Sequence, residues 1–156
     1  MRRFAALLLL AGLASPAAAQ HLRIGLVSDP DVLDPTLSRT VTGRQVFAAM
    51  CDKLVDINQR LEIVPQLATA WRWDQDGRAL VFTLREGVRF HDGEALTGES
   101  AAIGLRRHLT TQGSTRRPEM GPVTEVVATG PLEVTLRLSE PFAPLLAALA
   151  DRAGRL

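Results

Sequence analysis

Residues 79–98 read ALVFTLREGVRFHDGEALTG. The fold turns on whether this run is a strand, a turn and a helix start, or a constellation of catalytic side chains. Ala79 to Arg85 alternates, with Leu80, Phe82 and Leu84 on one face and Val81 and Thr83 on the other, the period of a half-buried strand. Trp71 to Trp73 precedes it across Asp74-Gln75-Asp76-Gly77, which predicts a hairpin with a Gly-containing turn. Asp74 and Asp76 resemble the opening of a calcium loop, but the distal Glu at its required offset is missing, so a bare turn is expected. Next comes His91-Asp92-Gly93-Glu94, with His108 further on. A histidine between carboxylates suits acid–base chemistry or a metal, and His91, Asp92, Glu94 and His108 are the candidate residues of a small exported metal-dependent hydrolase. Against that, Asp92-Gly93 is a strong turn dipeptide, and neighbours on a tight turn splay apart. A zinc helix would carry two histidines four residues apart, with a third ligand beyond. The residues favour a turn over a catalytic site.

Outward from this stretch, Thr97 suits the N-cap of a helix on which Ala101, Leu105 and Leu109 recur at i, i+4 and i+8. Glu99 sits in its first turn, and Arg106, Arg107 and His108 in its last turns, where the helix dipole favours each sign. An earlier amphipathic helix is predicted from Gly43 to about Leu54, on Val46, Met50 and Leu54 with Phe47 and Cys51 beside them. Cys51, the single cysteine, is expected to be a buried small hydrophobe on that helix face, since a disulfide framework needs an even set. Leu22 to Val27 reads as a first strand, broken by Ser28 to Pro35. Lys53–Ile57 and Leu61–Val64 flank a turn at Asn58-Gln59-Arg60. Thr110 to Pro118 is polar and reads as an exposed loop. Val123–Thr129 and Glu133–Leu138 make a further hairpin around Gly130-Pro131. Phe142 to Ala150 begins a helix whose Leu145, Leu146 and Leu149 are expected to lack packing partners in a chain of this length. The class is α/β, an α+β mixed sheet.

The ends set the compartment. Arg2 and Arg3 precede an uncharged apolar run, Phe4 to Leu13, too short for a stable membrane span, and Ala17-Ala18-Ala19 follows. This predicts a signal peptide over 1–19, cleavage after Ala19, and a periplasmic mature chain from Gln20. The formal charge is +1 over 156 residues, with scattered arginines, which gives no basis for nucleic-acid binding. No phosphate-binding Gly-x-x-x-x-Gly-Lys-Ser/Thr occurs, and no residue pattern calls for a cofactor.

Residues 54–100 are similar to a segment of the extracytoplasmic solute-binding proteins, family 5, of peptide and nickel ABC importers. The resemblance is carried by Pro65-Gln66-Leu67-Ala68 with Trp71, by Asp76-Gly77, by Leu84-Arg85-Glu86-Gly87-Val88-Arg89-Phe90-His91-Asp92-Gly93, and by Thr97. Leu33-Asp34-Pro35 and Glu140-Pro141-Phe142 extend it over nearly all of residues 20–156. It implies a binding protein, not an enzyme, with a periplasmic-binding-protein type II fold. In that fold two lobes close on a peptide or similar solute, which then passes to a permease driven by ATPase subunits. Residues 20–156 would be the N-terminal part of lobe I only, truncated, with 46–138 a possible subdomain, and the short chain is expected not to bind alone. By the same resemblance the loop at Arg39, Thr40 and Val41 would lie along the ligand backbone; a solvated loop leading into the helix is the alternative. One departure is local: Ser100 stands where the family has an acid, so the reciprocal bond of the capping box is expected to be weak or absent. A structural fragment without a ligand of its own is a third possibility.

Overall fold

Alternation at 79–84 builds the centre of the molecule. In the computed structural model, which describes residues 22–156, strands β3 (Ala68–Trp73), β4 (Ala79–Leu84), β5 (Val123–Gly130) and β6 (Glu133–Leu138) form one antiparallel sheet in the order β3-β4-β6-β5. Two hairpins dock side by side. Phe82 lies opposite Trp71 on one side and Val134 on the other, and Leu136 lies between Leu80 and Val126. A separate two-stranded ribbon pairs β1 (Val55–Ile57) with β2 (Ile63–Pro65). The predicted hairpins, Trp71–Trp73 with Ala79–Arg85 and Val123–Thr129 with Glu133–Leu138, both form, the first with a strand that starts earlier at Ala68, and the turn at Asn58–Arg60 forms too.

One sheet face is covered by α2 (Gly98–Thr110), which packs on β5 and β6. Its Ala101 and Leu105 are fully buried against Leu80, Phe82, Val126 and Leu136 in a single apolar core. Burying the Leu105 side chain contributes about 1.5–3 kcal/mol. Thr97 caps the helix, its hydroxyl accepting from the Ser100 amide at 3.1 Å. The Thr97 amide in turn donates to Ser100 Oγ at 2.9 Å. The capping box is therefore complete, against expectation. Serine is short but lies one turn up, close enough to reach back, so a carboxylate is not required for the bond.

Four further expectations fail for physical reasons. Leu22–Val27 forms no strand, and Leu22, Ile24 and Val27 are 85%, 73% and 96% exposed. Alternation specifies two faces but supplies no partner, and among the described residues none pairs with it. The first helix, α1, is Val41–Met50, shorter at its C-terminus than predicted. The chain leaves it because Leu54 N–H donates to the Gly154 carbonyl at 3.0 Å. Leu54 is buried off the helix, Met50 is half exposed, and Cys51 is the half-buried C-cap. Burial raises the Cys51 thiol pKa above its ordinary value, which favours the thiol over the nucleophilic thiolate. Third, Thr110–Pro118 is only partly an exposed loop: Thr110, Gln112, Gly113, Arg117 and Pro118 face solvent, but Arg116 is 1% exposed, and a 3-10 helix begins within the segment at Arg117–Met120. Last, the terminal helix is only α3 (Leu145–Leu149), yet Leu145 and Leu149 are fully buried. The 3-10 segment and the core supply the partners that the sequence reading thought missing. The signal-peptide expectation for 1–19 lies outside the described residues.

Candidate functional site

Two aspartates shape the loop that leads into α1. Asp31 Oδ1 accepts from the Ser38 hydroxyl at 2.8 Å and the Thr40 hydroxyl at 3.0 Å, and Oδ2 accepts from the Arg39 amide at 2.8 Å. These donors hold the Asp31 carboxyl far below the usual carboxylate range, the Arg39 amide most of all. Thr40 Oγ1 also accepts from Gly43 N at 3.0 Å, which caps α1. Gly43 leaves room for this arrangement: a Cβ would overlap the Ser38 hydroxyl and force it to turn away from Asp31. Asp34 accepts from the Thr36 amide at 2.8 Å and from both terminal nitrogens of Arg107 on α2. The Arg107 guanidinium holds its carboxyl down to about 2.

The three sequence-predicted residues therefore differ in what they offer. The Arg39 side chain is exposed, Val41 is 72% exposed, and the Thr40 hydroxyl is committed to the Asp31 carboxylate and the helix cap. A molecule lying along this loop would meet a cation, an apolar side chain and backbone.

Beneath the loop lies a polar network that the sequence reading missed. His108, 2% exposed, bridges Thr36 Oγ1 (Nδ1, 2.9 Å) and the Arg155 carbonyl (Nε2, 3.1 Å). The Thr115 hydroxyl donates to the carbonyls of Thr36 and Ser38 at 3.0 and 3.1 Å. Arg116 donates to the Ser38 carbonyl at 3.2 Å and pairs with Glu119, which Arg152 also engages at 2.9 Å. Arg155 donates to the carbonyls of Phe47 and Cys51 at 2.6 and 3.2 Å, a cation on the C-terminus of α1 where the dipole favours it. One signal could have found His108. It falls at i+7 from Ala101 and i+3 from Leu105, on the same buried stripe.

The quoted stretch resolves into a tight ribbon. Phe90 N–H donates to the Glu94 carbonyl at 2.8 Å, Gly93 N–H to Phe90 at 2.9 Å and Leu96 N–H to Val88 at 2.9 Å. Asp92 Oδ1 accepts from the Glu94 amide at 3.0 Å, an ordinary Asx turn. His91, Asp92 and Glu94 are exposed, while His108 is buried under the other loop. Among the described residues no three His, Cys, Asp or Glu side chains converge to hold a metal ion. His91 and Asp92 do border an open cleft of about 600 Å³, shared with Met50, Cys51, Leu67 and Leu156. The Arg39–Val41 loop is not part of its lining.

This turn makes a prediction. Gly93 has φ +92° with open space where a Cβ would stand, so Gly93→Ala is expected to cost about 1 kcal/mol through backbone strain alone. His91→Ala is expected to melt like the parent. A Gly93→Ala melt unchanged within error would show that the turn does not need the glycine.

The sequence profile described as Bacterial extracellular solute-binding proteins, family 5 Middle matches residues 62–155. The chain belongs to this family. Family 5 proteins bind solutes and are not enzymes, in keeping with the splayed, exposed His91, Asp92 and Glu94. Protein XP55 of Streptomyces lividans is 36% identical over 131 residues, 83% of this chain and 24% of its own length. The probable D,D-dipeptide-binding periplasmic protein DdpA of Escherichia coli K12 is 29% identical over 138 residues, 83% of this chain and 26% of its own length. Among solved structures, NikA from Brucella suis in complex with Fe(III)-EDTA superposes with a TM-score of 0.72 at 27% identity, covering 79% of this chain and 25% of that one. The fold is thus that of the family 5 members of the type II periplasmic binding proteins. This chain spans about a quarter of the length of these relatives. No helix among the described residues is long and apolar enough to cross a membrane.

Proposed function

We propose that this chain forms part of one wall of the solute cleft in a binding protein of a peptide-type ABC importer. It captures extended peptides or similar solutes in the periplasm for delivery to a permease and its ATPase subunits. Residues 1–19 direct export, and residues 20–156 are the N-terminal portion of lobe I, with 46–138 a subdomain. Arg39, Thr40 and Val41 contact the solute.

One observation carries this. The loop from Asp31 to Val41 is fixed on both sides by aspartate-centred hydrogen bonds, yet it holds the Arg39 and Val41 side chains out in solvent. A fixed backbone carrying an exposed cation and an apolar neighbour suits recognition of a carboxylate or an extended backbone, because little backbone ordering is left to occur on binding. Broad tolerance of side chains follows where water fills the pockets around a bound backbone.

A cleft solute gains most of its burial from closure between two walls. The 156-residue chain by itself is therefore expected to give no saturable heat when titrated with a mixed di- to pentapeptide library. Micromolar binding, roughly −8 kcal/mol, would show that one wall suffices. In a chimera that carries residues 22–156 in place of the matching quarter of a family-length relative, Arg39→Ala is expected to weaken peptide binding by roughly tenfold, about 1.4 kcal/mol, with an unchanged melt. Undiminished affinity would remove Arg39 from the site.

A further inference from the structure

The buried histidine under the loop has its proton placed by its neighbours. Nε2 of His108 faces the Arg155 carbonyl oxygen, which can only accept, so Nε2 carries the hydrogen. Nδ1 of a neutral ring is then bare and accepts from the Thr36 hydroxyl. That hydroxyl accepts in turn from Arg107 Nη1 at 2.8 Å, and Arg107 also donates to Asp34. Each hydrogen in the relay from Arg107 through Thr36 and His108 to the Arg155 carbonyl has its own acceptor, and the direction is fixed. Thr36 is fully buried and His108 nearly so, so water does not replace a lost partner.

We propose that His108 is a pH-sensitive latch: neutral, it ties the Asp34–Ser38 loop through α2 to the Arg152–Leu156 segment, and its protonation releases the loop that presents Arg39 and Val41.

A second proton on Nδ1 would point at the Thr36 hydroxyl, whose own hydrogen would then lose its acceptor. The charge would also be poorly placed. Arg107 faces it from α2 and Arg116 from the segment before the 3-10 helix; on the loop Asp34 is already engaged by Arg107. The Arg155 side chain is turned to the end of α1, so the C-terminal segment offers His108 its carbonyl. Burial, opposed by that carbonyl and reinforced by the two guanidiniums, lowers the His108 pKa below the ordinary 6.5. The sign follows: an open loop takes up a proton with ordinary affinity and a closed one does not. Closure is at full strength above pH 6.5 and weakens as the pH falls below it. Asp34 acts in another window. Its closed-state pKa near 2 keeps its contribution intact until the pH drops below about 3.8.

Amide hydrogen exchange, corrected for its intrinsic pH dependence, reads the latch directly. The protection of the Ser38, Arg39 and Thr115 amides is expected to fall, by up to about tenfold, between pH 7.5 and 5.5, while that of β4 and β6 stays constant. His108→Gln keeps a neutral donor and acceptor and is expected to remove the pH dependence. Protection in the parent that is flat over this range, or the same fall in His108→Gln, would overturn the latch. Should His108→Gln not fold, the parent decides alone: a transition near pH 6 supports His108, and one confined below pH 4 assigns it to Asp34 and overturns the proposal. The effect on solute rests on the reading of Arg39 and Val41 given above. A latch seen by exchange together with pH-independent peptide affinity in the chimera would leave the latch standing and refute that reading.

Discussion

Replacing Gly98 with alanine is expected to destabilise the fold by about 3 kcal/mol or more, at the upper end of the range for overpacking. Elsewhere in a helix the same change gains up to about 1 kcal/mol of helix propensity, so the sign rests on the neighbours. A Cβ at Gly98 would stand inside contact distance of the Gly130 carbonyl oxygen and 2.6 Å from that of Glu133. These atoms are backbone, and they belong to the β5–β6 turn. Gly130 and Glu133 are themselves a register pair. The Gly98 amide donates to the Pro131 carbonyl at 2.7 Å, which holds the helix start against the turn. Neither side can retreat without breaking that bond or lifting Ala101 and Leu105 out of the core. Urea unfolding measures the loss. Gly93→Ala is the internal comparison, since it is strained in φ but free of contacts. A Gly98→Ala protein within 1 kcal/mol of the parent would mean that α2 slides over the hairpin at little cost.

That contact also marks how far sequence carries the fold. Strands β4 and β6 were legible because their apolar residues recur on a two-residue period, and β3 and β5 followed as their hairpin partners across Asp74-Gln75-Asp76-Gly77 and Gly130-Pro131. α2 was legible from Thr97 and the Ala101, Leu105 stripe. Leu22–Val27 has the same alternation as β4 and makes no strand, because periodicity describes a face and is silent about a partner. Two buried polar side chains were not legible. His108 sits on the apolar stripe, but a basic residue near a helix C-terminus already has a sufficient electrostatic reason to be there. Arg116 lies among Ser114, Thr115 and Arg117, a composition that reads as loop. Its burial depends on the Ser38 carbonyl, 78 positions earlier in the chain, a distance no local pattern encodes. Of the candidate loop, the Arg39–Val41 positions came from family resemblance. Of the two aspartates that fix them, Asp31 stood out only within the stretch that breaks the first predicted strand, and Asp34 only within the Leu33-Asp34-Pro35 resemblance; neither pattern shows the hydrogen bonds they accept.

Arg116→Met is expected to be the most damaging change in this polar layer. Methionine keeps the apolar stem and removes a guanidinium that is 1% exposed. The Ser38 carbonyl and the Thr115 hydroxyl each lose a donor at 3.2 and 2.7 Å, and Glu119 loses one of two cations. Breaking a buried ion pair by removing one partner costs about 3–5 kcal/mol when the other charge is stranded. Glu119 is a quarter exposed on its side chain and keeps Arg152, so a loss of roughly 2–3 kcal/mol is expected. Burial lowers the Arg116 pKa, with Glu119 opposing, so the guanidinium is retained here at an electrostatic cost that its hydrogen bonds offset. Arg116→Lys separates charge from geometry. It preserves the cation but cannot serve Ser38, Thr115 and Glu119 at once, so it should fall between the parent and Arg116→Met. Glu119→Gln placed on Arg116→Met should recover part of the loss, and the double-mutant cycle reports the pair's coupling. Arg116→Met within 0.5 kcal/mol of the parent would show that the network is dispensable for stability. Arg116→Lys equal to Arg116→Met would show instead that the fork, and not the charge, holds the loop to the 3-10 segment.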